Sequence, residues 1–254
     1  MKPIATSAFC AALLTSAALL AGPSFAAMAP GMPMPAGAPA PVTAERPAAD
    51  VARDANRKPD QIIAFAGVKS GMKIAELGSG GGYYTRLLSK AVGSSGKVYA
   101  IVTQAQVTAG RTAGLEALAK VLGNVELVTV ADLASIKTPV PVDLVWTTEN
   151  YHDFHNNGGN IPGLNKAVFD ALKPGGIFYV EDHSAAVGAG PEATSKFHRM
   201  DEAIAKTELA AAGFRLDAET NLLRNPADTR TGGNAEADAH FMTDRFGLRM
   251  KKPG

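Results

Sequence analysis

The sequence has 254 residues and a formal net charge of +1, because 25 lysines and arginines nearly balance 24 aspartates and glutamates. The basic residues are dispersed without a long run, which excludes the charge pattern of a nucleic-acid-binding protein. With Cys10 as its single cysteine, the chain can form neither an internal disulfide nor a zinc site made of several thiolates.

Residues 1–26 have the pattern of a secretory signal peptide. Lys2 gives a positive start, an apolar run covers residues 4–20, and small residues precede a cleavage position near Ala26. The run is shorter than the roughly 20 residues that a membrane-spanning helix needs. We therefore predict cleavage, no stable membrane span in the mature protein, and a periplasmic location; a single membrane anchor is the alternative.

The rest of the chain divides by composition into a linker and one domain. Residues 27–47 are rich in Ala and Pro without apolar periodicity, which predicts a flexible linker. Residues 48–254 are enough for one α/β domain with a substantial core.

Strands and helices alternate along this domain. The predicted strands cover residues 72–77, 97–102, 125–130, 142–147, 177–180, 214–220 and 245–251. The predicted helices cover residues 48–66, where Pro59 starts the second half, and 83–91, 105–122, 164–172 and 196–212. This order predicts an α/β fold with a doubly wound, mostly parallel sheet of seven strands.

The most informative segment is the glycine loop, residues 76–82, with the sequence Glu-Leu-Gly-Ser-Gly-Gly-Gly. Its glycines allow the backbone to approach a ligand, and the next helix directs its free N–H groups toward the same place. The spacing differs from the dinucleotide fingerprint G-x-G-x-x-G/A, because Tyr83 takes the third position counted from Gly78. No Gly-Lys-Ser/Thr follows, so the loop is not a P-loop.

The pattern E-L-G-x-G-x-G resembles the first motif of class I S-adenosylmethionine (SAM)-dependent methyltransferases. The segment Leu-Lys-Pro-Gly-Gly at residues 172–176 is also typical of that superfamily. The resemblance covers roughly residues 59–253 and implies a Rossmann-like sheet with an antiparallel last strand and SAM as cofactor. Residues 81–86, 150–155, 181–184 and 198–201 further resemble a bacterial subfamily of exported predicted methyltransferases.

The resemblance also implies which residues bind the cofactor. They are Glu76, Gly78, Ser79, Gly80, Gly82, Tyr83, Thr103, Asp132 and Asn150. The glycine loop would hold the aminoacyl end of SAM, and Asp132 would contact the adenine or, alternatively, cap the next helix.

The second predicted strand departs from the superfamily's pattern. An acidic residue usually ends this strand and binds the ribose hydroxyls, but here the position holds Val102. Thr103 or Gln104 can supply one hydrogen bond in its place. A lost charged hydrogen bond is worth roughly 1.5–3 kcal/mol, which predicts weak SAM binding or loss of the cofactor.

A polar cluster follows the fourth predicted strand, where methyltransferases present the methyl group to its acceptor. We predict His152 and Asp153 as catalytic residues, because an imidazole can accept a proton near neutral pH. The alternative is that His152 packs against the sheet and Asp153 caps a turn. The predicted substrate contacts are Tyr151, His183, His198 and Arg199. His198 and Asp201 are expected on one helix face.

The histidines and acids also suggest a metal site. His152, Asp153, His155, Glu181 and His183 can converge on zinc, iron or manganese. Ordinary polar lining of a pocket is the favoured interpretation, so no metal ligand is predicted. The long polar loop from residue 223 to His240 is a predicted binding loop, with Arg224, Asp228 and Arg230 as candidate contacts.

The function expected from the sequence is SAM-dependent methyl transfer to a small-molecule acceptor, without a nucleic-acid partner. Two alternatives stay open. One is a non-catalytic or repurposed binding protein on the same fold, and the other is a metal-dependent enzyme built on the His/Asp cluster. The acceptor and the oligomeric state do not follow from the sequence.

Overall fold

The computed structural model describes residues 44–233 and 242–254. The predicted signal peptide, most of the predicted linker and His240 of the polar loop lie outside the described residues. Within the described ranges, no helix is both long enough and apolar enough to cross a bilayer.

Seven strands form one sheet. They are β1 (Lys73–Leu77), β2 (Lys97–Thr103), β3 (Val125–Val130), β4 (Val142–Thr148), β5 (Leu172–His183), β6 (Arg215–Thr220) and β7 (Arg245–Lys251). Their order is β3-β2-β1-β4-β5-β7-β6. Strands β1 to β5 pair in parallel, whereas β7 is antiparallel to both β5 and β6. The predicted doubly wound sheet with its antiparallel last strand is confirmed.

Helices cover both faces of the sheet. They are α1 (Ala48–Ala52), α2 (Asp54–Arg57), α3 (Pro59–Ala66), α4 (Tyr83–Val92), α5 (Gln104–Thr108), α6 (Ala113–Leu122), α7 (Ile161–Ala171), α8 (Ala193–Phe197) and α9 (Glu202–Ala211). Short 3-10 turns cover Leu133–Ser135 and Asp153–Gly158.

Three of the predicted helices are interrupted. The first breaks at Lys58 (φ 43°), since the residue before a proline disfavours the helical region. The second breaks near Gly110 (φ 67°). The third breaks at His198 (φ 50°), and α9 begins only after Asp201, whose carboxylate accepts the Ala203 N–H at 3.0 Å. The expectation that His198 and Asp201 share a helix face is therefore wrong.

The alternation of side chains along each strand divides the core into two layers. On β4, Leu144 and Trp146 pack with α3, α4 and α6, while Val145 packs with α7 and α9. All three side chains are buried. A parallel sheet covered on both faces brings the carboxyl ends of β1, β2, β4 and β5 to one edge, where ligands bind in such folds.

Candidate active site

The glycine loop is tightly packed at its base, which is Gly78, and open at its crest, which is Gly80. A Cβ atom at Gly78 (φ 69°) would lie 2.5 Å from Asn150 Cγ, and Asn150 Nδ2 donates a hydrogen bond to the Gly78 carbonyl oxygen at 3.2 Å. At Gly80 (φ 52°) the nearest atom to such a Cβ would be the Gly78 oxygen at 4.0 Å. The turn after β4 thus supports the loop from one side and leaves room for a ligand above it.

Glu76 lies beneath this loop. Its carboxylate accepts a hydrogen bond from Thr85 Oγ1 at 2.7 Å, which ties β1 to α4. Burial raises the pKa of Glu76 to about 7, although the Thr85 hydrogen bond opposes this rise. The predicted cofactor-binding acid is therefore a support of the loop, while Ser79 is half-buried next to the exposed Gly80.

Tyr83 faces the amino-terminal helices. Its hydroxyl donates to Asp54 Oδ1 at 2.6 Å. Three guanidinium groups surround its ring, those of Arg46, Arg53 and Arg57, at 5.1, 5.1 and 4.9 Å from the centroid. Burial, followed by the hydrogen bond to Asp54, raises the pKa of Tyr83 above its ordinary value. The predicted cofactor contact is thus engaged with α2 and the segment before α1.

The end of β2 is apolar, as its sequence indicated. Val102 is only 4 % exposed. Thr103 caps α5, because its hydroxyl accepts the Gln106 N–H at 3.3 Å and Gln106 Oε1 accepts the Thr103 N–H at 2.8 Å. The predicted hydrogen bond from Thr103 to a ribose therefore competes with its capping role.

Asp132 follows β3 and has an exposed side chain. Its backbone N–H donates to Ser135 Oγ at 3.2 Å, and that hydroxyl donates to the Asp132 carbonyl oxygen at 2.8 Å. The main chain thus forms the 3-10 turn that follows, and the carboxylate stays at the surface, which is compatible with the predicted adenine contact.

A buried cluster of two arginines and two glutamates lies at the carboxyl edge of the sheet beside β4. This arginine–glutamate cluster is formed by Arg57, Glu149, Glu181 and Arg245. Arg57 pairs with Glu149, and Arg245 Nη1 lies 2.6 Å from Glu149 Oε1 and 3.4 Å from Glu181 Oε1. No side chain of the four is more than 7 % exposed. Burial raises the pKa of Glu181 to about 7, against the charge of Arg245.

Sequence reasoning missed this cluster, because its members come from α2, β5, β7 and the turn after β4. Glu149 carries the one local feature, a left-handed backbone (φ 55°) that is unusual for a residue other than glycine. That conformation is visible only in the folded chain.

A second cluster, the histidine–aspartate cluster, is formed by His152, Asp153, Asp182 and His198. Asp182 accepts the His152 backbone N–H at 2.6 Å and lies 2.7 Å from His152 Nδ1. His152 Nε2 and His198 Nδ1 each lie 3.3 Å from Asp153 Oδ1. His152 and Asp182 are buried, whereas the side chains of Asp153 and His198 are both 48 % exposed.

The charges of this cluster set the protonation of His152. Burial lowers its pKa, but the charge of Asp182 and hydrogen bonds to Asp153 and Asp182 outweigh burial and raise the pKa to about 10. The hydrogen bond with His152 lowers the pKa of Asp153. In this arrangement His152 is protonated at neutral pH, so a role as general base requires that one carboxylate partner be withdrawn or neutralised.

Tyr151 and His155, which flank these residues, point away from the edge. The Tyr151 side chain is fully buried, and its hydroxyl lies 3.1 Å from Glu208 Oε2 and accepts from Asn165 Nδ2 at 2.8 Å. His155 Nε2 lies 3.0 Å from both Glu208 oxygens. The structure therefore places the Tyr151 side chain in the interior and separates His155 from the predicted convergence of histidines, while substrate contact by Tyr151 stays a prediction.

His183 and Arg199 are also enclosed. His183 is fully buried, with Nδ1 2.7 Å from Thr243 Oγ1. Arg199 Nη1 lies 2.7 Å from Asp228 Oδ2, and its Nε donates to the Gly232 carbonyl oxygen at 2.7 Å. Both side chains are therefore enclosed within the protein, and substrate binding by either residue stays a prediction. Among the four predicted substrate contacts, only His198 stays accessible.

The polar loop is held by its own charges. Arg224 Nη2 lies 2.5 Å from Glu202 Oε2 and its Nη1 lies 3.1 Å from Asp244 Oδ2. Arg230 Nη2 lies 3.1 Å from the same Asp244 oxygen. In the described part of the loop, the arginines proposed as substrate contacts therefore anchor it to α9 and to the start of β7.

Comparison with known sequences points to methyltransferases. The sequence model of the protein-L-isoaspartate(D-aspartate) O-methyltransferase (PCMT) family matches residues 60–181. A protein-L-isoaspartate O-methyltransferase from Methanococcus maripaludis is 28% identical over 144 residues. That stretch is 57% of this chain and 60% of the relative, so the chain spans less than two thirds of that protein.

Solved structures agree on the fold. A SAM-dependent methyltransferase from Aquifex aeolicus has a TM-score of 0.54 and 22% identity, covering 79% of this chain and 98% of its own. The cyclase SpnF has a TM-score of 0.54 and 20% identity, covering 78% of this chain and 81% of its own. Identities this low establish the fold alone, and this fold also occurs in a protein named for a different reaction.

Proposed function

We propose that this chain, a member of the class I SAM-dependent methyltransferase superfamily, transfers a methyl group from SAM to a small-molecule acceptor. The observation that carries the proposal is the open crest of the glycine loop at the carboxyl end of β1. SAM supplies an electrophilic methyl group. The chain's own contribution is to align the acceptor with that group and to exclude water.

The glycine loop and Asp132 at the carboxyl edge of the sheet fit SAM, whereas the end of β2 departs from the superfamily's usual pattern. The glycine loop and the exposed Asp132 offer backbone N–H groups and a carboxylate to the two ends of such a ligand. At the end of β2, Val102 and the capping Thr103 offer no carboxylate for the ribose. We therefore expect binding that is weaker than an intact ribose site would provide.

The family match covers only part of the domain, and this bears on the identity of the acceptor. The match ends at residue 181, before His198, the polar loop and β7. His198 and the polar loop are thus outside the region shared with the PCMT family, whereas His152 and Asp153 lie inside it. This supports an acceptor other than the protein carboxyl group that the family's name indicates, and a protein acceptor is the second candidate.

Titration calorimetry of the purified protein with S-adenosylhomocysteine tests the cofactor. Micromolar binding supports the proposal, whereas no binding at millimolar ligand overturns it and favours a repurposed fold. Transfer of a labelled methyl group from SAM to small-molecule extracts and, in parallel, to an isoaspartyl peptide then tests the acceptor. Labelling of the peptide alone would replace the small-molecule proposal by the protein candidate.

We also propose that the protein is exported to the periplasm, on the basis of the signal-peptide pattern in residues 1–26. Cell fractionation together with the intact mass of the purified protein tests this. A cytoplasmic protein that keeps its first 26 residues would contradict it.

A further inference from the structure

Three side-chain atoms of the histidine–aspartate cluster are spaced like the ligands of a metal ion. Ligand atoms of His152, Asp153 and His198 all lie within 4.8 Å of one another. Two of the separations, from Asp153 Oδ1 to His152 Nε2 and to His198 Nδ1, are 3.3 Å. In a tetrahedral zinc site with ligand distances of about 2.0–2.2 Å, neighbouring ligand atoms lie about 3.3–3.6 Å apart.

Asp182 orients the imidazole ring of His152. In metal sites, a carboxylate that does not itself bind the metal often orients a histidine ligand in the same way. Asp182 lies 2.7 Å from His152 Nδ1 and accepts the backbone N–H groups of His152 at 2.6 Å and of His183 at 2.8 Å. These bonds place the Nδ1 proton toward Asp182 and direct Nε2 toward Asp153, and a metal ion bound there replaces the Nε2 proton. A carboxylate that holds the second imidazole nitrogen in this way is a recurrent feature of metal sites.

The site is accessible from solvent. His152 is buried, but Asp153 and His198 are each half-exposed, so an ion bound between them keeps a coordination position on the open side. Three protein ligands with one open position are typical of catalytic zinc sites. The Asp153 N–H donates to the Asn150 carbonyl oxygen at 3.0 Å, and Asn150 also contacts the glycine loop.

We propose that His152, Asp153 and His198 bind one divalent transition-metal ion, such as Zn²⁺, and leave a position open for water or an oxygen atom of the acceptor. Two imidazoles and one carboxylate suit zinc, iron and cobalt better than calcium or magnesium. His152 and Asp153 lie inside the PCMT match and His198 lies beyond its end at residue 181, so the match does not contain the complete set of ligands. A role in holding the acceptor rests on the proposed methyl transfer, whereas metal binding itself does not.

Titration of the chelator-treated full-length protein, purified without a histidine tag, with Zn²⁺ and Co²⁺ tests the site. We expect one equivalent of metal and the visible absorption of tetrahedral Co²⁺. His198→Asn removes a ligand and keeps a residue that tolerates left-handed backbone, so it should lower the affinity at least about tenfold without loss of folding. Asp182→Asn should lower it by about 10- to 100-fold.

His155→Gln is the matched control, since His155 contacts Glu208 and not the cluster. It should bind metal like the wild type. Binding far below one equivalent, or equal affinity of wild type and His198→Asn, would overturn the proposal and identify the cluster as an ion pair that shares a proton. These titrations contain no SAM, so their failure is separate from a failure of SAM to bind.

Discussion

Glu181 and Asp182 are neighbours in β5, yet they belong to two different charged clusters on opposite faces of the sheet. Glu181 joins the arginine–glutamate cluster, where two arginines and two glutamates are all buried. Asp182 joins the histidine–aspartate cluster, where Asp153 and His198 stay half-exposed. The comparison separates two uses of buried charge. The arginine–glutamate cluster pairs its charges with one another away from water and so joins distant elements. The histidine–aspartate cluster instead exposes two of its side chains to solvent, where a ligand can reach them.

The largest expected effect is on the closed cluster. Arg245→Met leaves Glu149 and Glu181 buried without their shared cation, which we expect to lower the free energy of unfolding by about 3–5 kcal/mol. Arg249→Met, on the same strand, is the control, since Arg249 pairs with Asp217 and both side chains are 29 % exposed. It should cost at most about 1 kcal/mol. Urea unfolding measures both, and equal losses would contradict a special role of the closed cluster.

Glu76 is a second buried carboxylate that can be compared with Glu181. Its partner is the hydroxyl group of Thr85, whereas Glu181 has the guanidinium group of Arg245 as a partner. The folded pKa of Glu76, about 7, lies above the ordinary 4.5, so the folded state binds the proton more tightly. Its contribution to stability is therefore greatest below pH 4.5 and falls as the pH rises toward 7. The loss is on the order of 3 kcal/mol.

The difference between wild type and Glu76→Gln in unfolding free energy, followed across the range between the ordinary and the raised pKa, isolates this contribution. The variant should lose less stability than the wild type as the pH rises. Glu126→Gln, whose glutamate is 46 % exposed, should keep the wild-type slope. Parallel curves for wild type and Glu76→Gln would show that the buried carboxylate does not titrate in this range.

Gly80→Ala tests the open crest of the glycine loop, which belongs to neither of the two charged clusters. A Cβ there is strained by the positive φ and enters the space predicted for the ligand, so S-adenosylhomocysteine affinity should fall about tenfold or more, roughly 1.4 kcal/mol. A Cβ at Gly123 (φ 75°) meets no atom within 4 Å, and this glycine lies at the end of α6. Gly123→Ala should share the small loss of stability and bind normally; equal binding by both variants would contradict a cofactor at the crest.

The smallest expected effect concerns the end of β2. Thr103→Asp introduces a carboxylate beside the predicted ribose position and keeps a residue that caps helices well. We expect S-adenosylhomocysteine affinity to rise by about 1 kcal/mol, roughly fivefold. Thr103→Asn, which caps without the charge, is the control. Calorimetry compares the two, and a lower affinity of Thr103→Asp would mean that the site is adapted to an apolar strand end.

The sequence by itself determined the sheet and the position of the glycine loop, and it carried the resemblance to class I SAM-dependent methyltransferases. Apolar runs of strand length, glycines between β1 and α4, and alternation with helices are local signals, and six of the seven strands match their predicted ranges to within one residue at each end. Helix continuity was less predictable. Pro59 indicated the break at Lys58, whereas the breaks near Gly110 and at His198 depend on single backbone conformations that a helical composition does not reveal.

Only the tertiary structure decided which polar residues meet. Adjacent residues of a strand face opposite sides, so the segment 181–183 supplies Glu181 to one cluster and Asp182 to the other. Arg57 and Arg245 come from distant elements, and their pairing with Glu149 has no sequence spacing to indicate it. Residue types limited the chemistry available at this edge. The folded chain determined which side chains are paired and enclosed and which stay accessible to a ligand.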